Sequence, residues 1–159
     1  MPDGRSILRG SRAPSDGLRE VVMADTQATD LWLQDFVRGN GGAAGTVHRV
    51  RDGELVLEAA FNIPEPVRRV TARIPRGKGM AGLALERNAP VSTCNLKTDT
   101  TGDVRPGAKA VDAKAAVALP VRDAAGEVRA VVGIAYSDER DLSDAHLAEL
   151  TENARRLPA

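Results

Sequence analysis

The sequence predicts an α+β domain: a central, mostly antiparallel sheet of six strands flanked by helices at its N- and C-terminal ends. Two observations carry this. Two pairs of apolar runs are each joined by a hairpin-length turn, Arg51-Asp52-Gly53-Glu54 and Asp123-Ala124-Ala125-Gly126. Stretches with helix-like apolar spacing stand near both ends of the chain, from Leu18 to Val37 and from Ser143 to Leu157. Strands linked by hairpins, with helices set apart from them, build an α+β layer rather than a parallel sheet with crossover helices.

Residues 1 to 17 hold five of the chain's Gly and Pro residues (Pro2, Gly4, Gly10, Pro14, Gly17) and only Ile7 and Leu8 as large aliphatic groups besides Met1. Such a stretch buries too little to offset its ordering entropy, and a flexible leader is expected there, with one domain over residues 18 to 159. In the first helix Leu18, Val21, Val22, Ala28, Leu31, Trp32, Phe36 and Val37 recur at helical spacings, and Gly39, Gly41 and Gly42 end it. Thr46 to Phe61 reads as a hairpin, because Asp-Gly between apolar runs suits the positive φ that a type I′ turn needs at both central residues. A third strand is expected at Arg69 to Ile74, ended by Pro75.

A short helix over residues 79 to 88, with Asn88 at its stop, and a strand from Pro90 to Thr93 come next. The polar stretch that follows is long for an irregular segment in a compact domain, which marks it as a binding loop. Strands at Ala115 to Val121 and Val128 to Tyr136 form the last hairpin. The closing helix has Ser143 as N-cap, Asp144 in its first turn, and Arg155 and Arg156 in its last, as the helix dipole favours.

Composition narrows the function. With 159 residues the chain fits one domain, large enough to bury roughly 70% of its unfolded surface without staples. The 22 Lys and Arg balance 22 Asp and Glu, so there is no cationic surplus for neutralising phosphates and no nucleic-acid partner is expected. Trp32, Phe36, Phe61 and Tyr136 are the only aromatic residues, too few for base stacking or for shielding haem or a bilin, and no cofactor is expected. His48, His146 and Cys94 show no metal-ligand spacing. A lone cysteine and the lack of an apolar leader point to the cytoplasm, and no apolar run approaches the roughly 18 residues that span a bilayer, so no membrane partner is expected.

Gly77-Lys78-Gly79-Met80-Ala81-Gly82 spells G-x-G-x-x-G between a strand and a helix. A dinucleotide fold would need parallel strands and a ribose-binding acid further on, and neither is present. The glycines therefore read as structural, letting a helix start turn tightly and pack close to the sheet. The functional reading of the same turn is an anion held at the helix start beside Arg76 and Lys78.

The stretch Ile74 to Ala84, followed by Asn88-Ala89-Pro90-Val91, resembles the mid-domain signature of GAF domains. Ala116 to Val121, Gly126 and Val131-Val132-Gly133-Ile134 resemble that family's final hairpin, and Leu142 to Leu150 its closing helix, so the likeness spans about residues 20 to 157. The resemblance implies a pocket on one face of a six-stranded antiparallel sheet, closed by the loop between strands four and five. Family members bind cyclic nucleotides, tetrapyrroles, haem, metabolites or amino acids, or serve as dimerisation modules, and one branch reduces free methionine-(R)-sulfoxide.

Residues decide among these. Asn95-Leu96-Lys97 lacks the Phe and Asp-Glu of the cyclic-nucleotide signature. The reductases resemble G-x-G-V-C-G with further loop cysteines, whereas this chain has Ala81 at the matching place and no cysteine between Asn95 and Asp112. The leading expectation is a non-enzymatic sensory or regulatory domain for a small polar ligand or a protein partner in signalling. Cys94, Asn95, Asp99, Asp103, Arg105, Lys109 and Asp112 supply the polar handles of the loop. The alternatives are a ligand-free dimerisation or interaction module and a thiol-dependent reductase at Cys94. Leu147, Leu150, Ala154 and Leu157 step 3, 4, 3 along the last helix and Trp32 and Phe36 stand four apart on the first, a pattern that fits a homodimer seam as well as packing on the chain's own sheet. Alternation along the first strand sets His48 opposite Val47, on the face of Val50 and at the sheet surface.

Overall fold

A computed structural model describes residues 14–93, 114–138 and 142–158, with side chains described from residue 27 onward. Helix α1 runs over Pro14–Gly39, the hairpin strands β1 and β2 over Ala44–Arg51 and Glu54–Phe61, and helix α2 over Glu65–Val70. Strand β3 (Arg73–Ile74), helix α3 (Gly79–Arg87), strands β4 (Val91–Thr93), β5 (Ala115–Arg122) and β6 (Val128–Tyr136), and helix α4 (Asp144–Ala154) follow. The six strands form one antiparallel sheet in the order β3-β2-β1-β6-β5-β4, which places β1 and β6 at its centre.

Both hairpins form where turn chemistry predicts them. Asp52 and Gly53 carry φ of 52° and 80°, the paired left-handed conformation of a type I′ turn. In the second, the Asp123 carboxylate accepts from the backbone N–H of Ala125 and Glu127 at 2.9 and 3.0 Å, an Asx-type closure that compensates for the absence of Asn-Gly. Helix α1 ends at its glycines, where Gly42 N–H donates to Val37 O at 2.8 Å and a Cβ on Gly42 would lie 2.6 Å from Ile134 Cγ1. The start of α1 at Pro14 falls inside the stretch expected to be a leader, while residues 1–13 lie outside the described residues.

The expected third strand differs. Residues Glu65–Val70 are helical, and only Arg73 and Ile74 pair with β2. Pro66 sits in the first turn of α2, where its missing N–H costs nothing and its fixed φ favours the helix. Val67 points inward, and its carbonyl accepts from both the backbone N–H and the hydroxyl of Thr71. The β-branched character of Val70 and Thr71 was a weaker determinant than this local capping. The C-terminal helix also stops at Ala154, one residue short of Arg155 and Arg156, so its last turn carries no basic side chain; Ser143 is its N-cap, accepting from His146 N–H at 3.1 Å.

The sheet has two unlike faces. On one, α1 and α4 cover Val47, Ala59, Val117, Leu119, Val121, Ala130, Val132, Ile134 and Tyr136 with Leu33, Phe36, Val37, Leu150, Ala154 and Leu157 in one continuous core. On the other, Leu55, Ile74, Ala84, Leu85, Val91, Ala118 and Val131 form a smaller core beneath α3. Two arginines tie the end of the described chain to the sheet. Arg49 donates to Pro158 O at 2.8 Å while pairing with Glu58 at 2.9 Å, and Arg129 donates to Leu157 O at 2.8 Å. Burial, reinforced by the neighbouring Arg49 charge and opposed by Asp123, holds the Arg129 guanidinium below its ordinary pKa.

Candidate functional site

The smaller core is incomplete beside the first turn of α3, where a cavity of about 140 Å³ opens between sheet and helices. Its floor is built from Gly45, Thr46 and His48 of β1, Ala116 to Ala118 of β5, and Gly133 to Ala135 of β6. Its walls are Ile63, Val67 and Thr71 on and around α2, Ile74 of β3, and Lys78 to Ala81 at the start of α3. The room arises because the floor side chains are small. A Cβ on Gly133 would already lie 2.8 Å from Thr46 Oγ1, so the glycine leaves the threonine its place.

The start of α3 is set by the glycine turn. Gly77 and Gly79 have φ of 81° and 66°, and Gly77 N–H donates to Gly82 O at 2.9 Å. A Cβ on Gly82 would stand 2.5 Å from Pro75 O, a distance that no side chain tolerates, so the third glycine is required by the close pass of the preceding loop. The motif thus serves to fold the loop back onto the helix and to set Met80 and Ala81 against the cavity. Arg76 does not line it; Lys78 does, as the N-cap residue of α3. At the other end of the helix Asn88 adopts the left-handed conformation, and Arg122 donates to its side-chain oxygen at 2.6 Å and its backbone oxygen at 2.7 Å.

His48 is the most distinctive polar group of the cavity wall. It lies on the expected face of β1, but it is only 2% exposed, because α2 covers the sheet there. Nε2 is 2.8 Å from Thr71 O, and since a carbonyl only accepts, Nε2 carries the proton. Burial pushes the pKa below the ordinary histidine value of about 6.5, with the Thr71 bond opposing it, so the ring is neutral at pH 7 and Nδ1 holds a lone pair. That Nδ1 is buried and has no hydrogen-bond partner among the described residues.

A family model described as GAF domain matches residues 26–157. The chain belongs to the GAF family. None of the curated proteins matches the sequence significantly. Among solved structures, the GAF domain of an Acinetobacter phosphoenolpyruvate-protein phosphotransferase is 15% identical, with 92% of each chain covered and a TM-score of 0.66. The type II free methionine-R-sulfoxide reductase of Thermoplasma acidophilum is 21% identical over 86% of this chain and 89% of its own, with a TM-score of 0.65. The free methionine-R-sulfoxide reductase of Neisseria meningitidis, in complex with its substrate, is 19% identical over 92% and 90% of the two chains, with a TM-score of 0.61. At these identities the likeness is one of fold, shared by signalling GAF domains and reductases alike.

Within this GAF domain the expected loop residues Cys94, Asn95, Asp99, Asp103, Arg105, Lys109 and Asp112 all lie outside the described residues. Of the expected interface residues, Phe36, Leu150, Ala154 and Leu157 are buried in the chain's own core, and Trp32 and Leu147 are partly buried against it. The helical stripes therefore pack on the sheet they flank. Trp32 stacks on Phe36 with ring centroids 4.9 Å apart. Among the described residues no cluster of His, Cys, Asp and Glu could hold a metal, and no helix is long and apolar enough to cross a membrane. The resemblance implied a pocket on one face of the sheet, but its lining residues were not read from the sequence. Its signal was the run of small residues at Ala116, Ala118, Gly133 and Ala135, all on one face of two neighbouring strands.

Proposed function

We propose that this GAF domain is a non-enzymatic sensory or regulatory domain of the cytoplasm, whose cavity takes a small ligand and relays its occupancy to the helices on the far side of the sheet. The observation that carries this reading is the shared floor. Strands β1, β5 and β6 line the cavity on one face and seat α1 and α4 on the other. At Gly45 the separation is a single peptide thickness, since a Cβ there would lie 2.6 Å from Val37 Cγ2 of α1. A ligand that prefers one position of this floor shifts the population of helix positions by its differential affinity.

The walls are mainly aliphatic, with Thr46, His48, Thr71 and Lys78 as polar groups, so the ligand this cavity favours is less polar than the loop alone suggested. The reductase alternative has less support, because Ala81 puts a methyl group on the cavity wall where the resembling branch carries a thiol. The ligand-free interaction module also has less support, because four of the six residues it would present are consumed in the core. A thermal-shift screen with nucleotides, amino acids and small neutral compounds tests the proposal. A true ligand at 100 times its Kd adds about 2.7 kcal/mol and raises Tm. A Tm unmoved by every class would pass the reading to the interaction module.

A further inference from the structure

Resting on the ligand-cavity reading above, we infer that the cavity selects a neutral molecule of about six to eight non-hydrogen atoms, with a compact apolar body and one O–H or N–H that donates to Nδ1 of His48. The size follows from the volume: about 140 Å³ is close to the roughly 150 Å³ of an engineered core cavity that holds benzene. The apolar body follows from Ile63, Val67, Ile74 and Met80, which offer aliphatic surface; Lys78, the charged residue of the lining, is exposed, so its ammonium stays in water rather than pairing a charge inside.

The donor follows from the tautomer. Thr71 O fixes the proton on Nε2, so Nδ1 of this lining residue keeps a buried lone pair with no hydrogen-bond partner among the described residues. A buried acceptor left unmade is costly, and a ligand that supplies the missing proton recovers that cost, while a ligand of equal size without one does not. The difference makes His48 the specificity-determining residue of the site. The ring is also tied to the roof through Thr71 and to the centre of the sheet through its own strand, so it is held in place before any ligand arrives. Because Nδ1 has almost no accessible surface, a donor reaches it only as a lining side chain shifts, and Met80, unbranched and adaptable, is the lining residue best suited to that.

Phenol and fluorobenzene separate the two levels of this argument, because they share size and shape and only phenol donates. Calorimetry on the full chain is expected to show phenol binding at least about tenfold more tightly than fluorobenzene, in line with sites that lose a hydrogen bond when the donor is missing. In His48→Leu the side chain keeps neither donor nor acceptor, and the two compounds are expected to bind alike. Nitrogen NMR of the wild-type imidazole gives a readout that does not depend on the variant folding: phenol should move the Nδ1 resonance and fluorobenzene should not. Equal affinities in the wild type would overturn the selectivity while leaving the cavity reading intact. A Nδ1 resonance already shifted in the free protein and unmoved by phenol would overturn it as well. If neither compound binds, the ligand cavity itself fails and the selectivity falls with it.

Discussion

The two faces of the sheet are made by alternate residues of the same strands, yet one is solid and the other hollow. Along β6, Ala130, Val132, Ile134 and Tyr136 enter the core under α1 and α4, while Gly133 and Ala135 floor the cavity. Along β5, Val117, Leu119 and Val121 do the same against Ala116 and Ala118. Next to the cavity these strands therefore give mainly large residues to one side and Ala116, Ala118, Gly133 and Ala135 to the other, while Val131 fills the second face further along. Stability and function are thus separated by parity: the packed face supplies the burial, and the other is free to keep a void.

That contrast can be broken most sharply from the packed face. Leu150→Ala removes a fully buried side chain beneath α4, and urea unfolding is expected to show a loss of about 3 kcal/mol with an unchanged m value. A loss below about 1 kcal/mol would mean that α4 contributes little to the solid face.

The hollow face is sharpened by pH. The folded pKa of His48 lies below its unfolded value of about 6.5, so the unfolded chain takes up the proton first as pH falls. Stability is therefore complete above about pH 6.5, declines as pH drops below it by at most about 1.4 kcal/mol per unit, and levels off below the folded pKa. Subtracting the unfolding profile of His48→Gln from that of the wild type between pH 7.5 and 5 should leave this slope. A flat difference would show a ring that titrates as if exposed.

The smallest expected effect is at the floor. Ala116→Leu extends into existing space, and its cost is expected to stay within about 1 kcal/mol, against the 1–3 kcal/mol typical of a filled core. Small-molecule binding should be lost at the same time. A variant that unfolds instead, by the same urea titration, would mean that the void closes in solution.

How much of this was legible in sequence depends on where the determinants lie. Turn residues act locally, and Asp52-Gly53 and Asn88 adopt the left-handed geometry their types favour. The helix at Glu65–Val70 was misread because Val67, Val70 and Thr71 suit strands and helices alike, and the deciding factors were Pro66 at the helix start and a carbonyl shared by Thr71. His48 was placed on the correct face from alternation, but its burial was not readable, since it depends on α2 arriving from 23 positions away in sequence. The lining of the cavity, beyond the pocket that the resemblance implied, was unreadable for a related reason. Small residues mean a void only once three strands and two helices are known to converge on them.

The chain has one tryptophan, and its position gives the solid face an optical voice. Trp32 is stacked on Phe36, one residue from Leu33 and within the helix whose Val37 touches Gly45. Its emission therefore reports α1 and stays blind to the cavity contents themselves. Any spectral change on filling the cavity has crossed the sheet to be seen, so unlabelled fluorescence distinguishes a ligand that merely occupies the domain from one that signals through it.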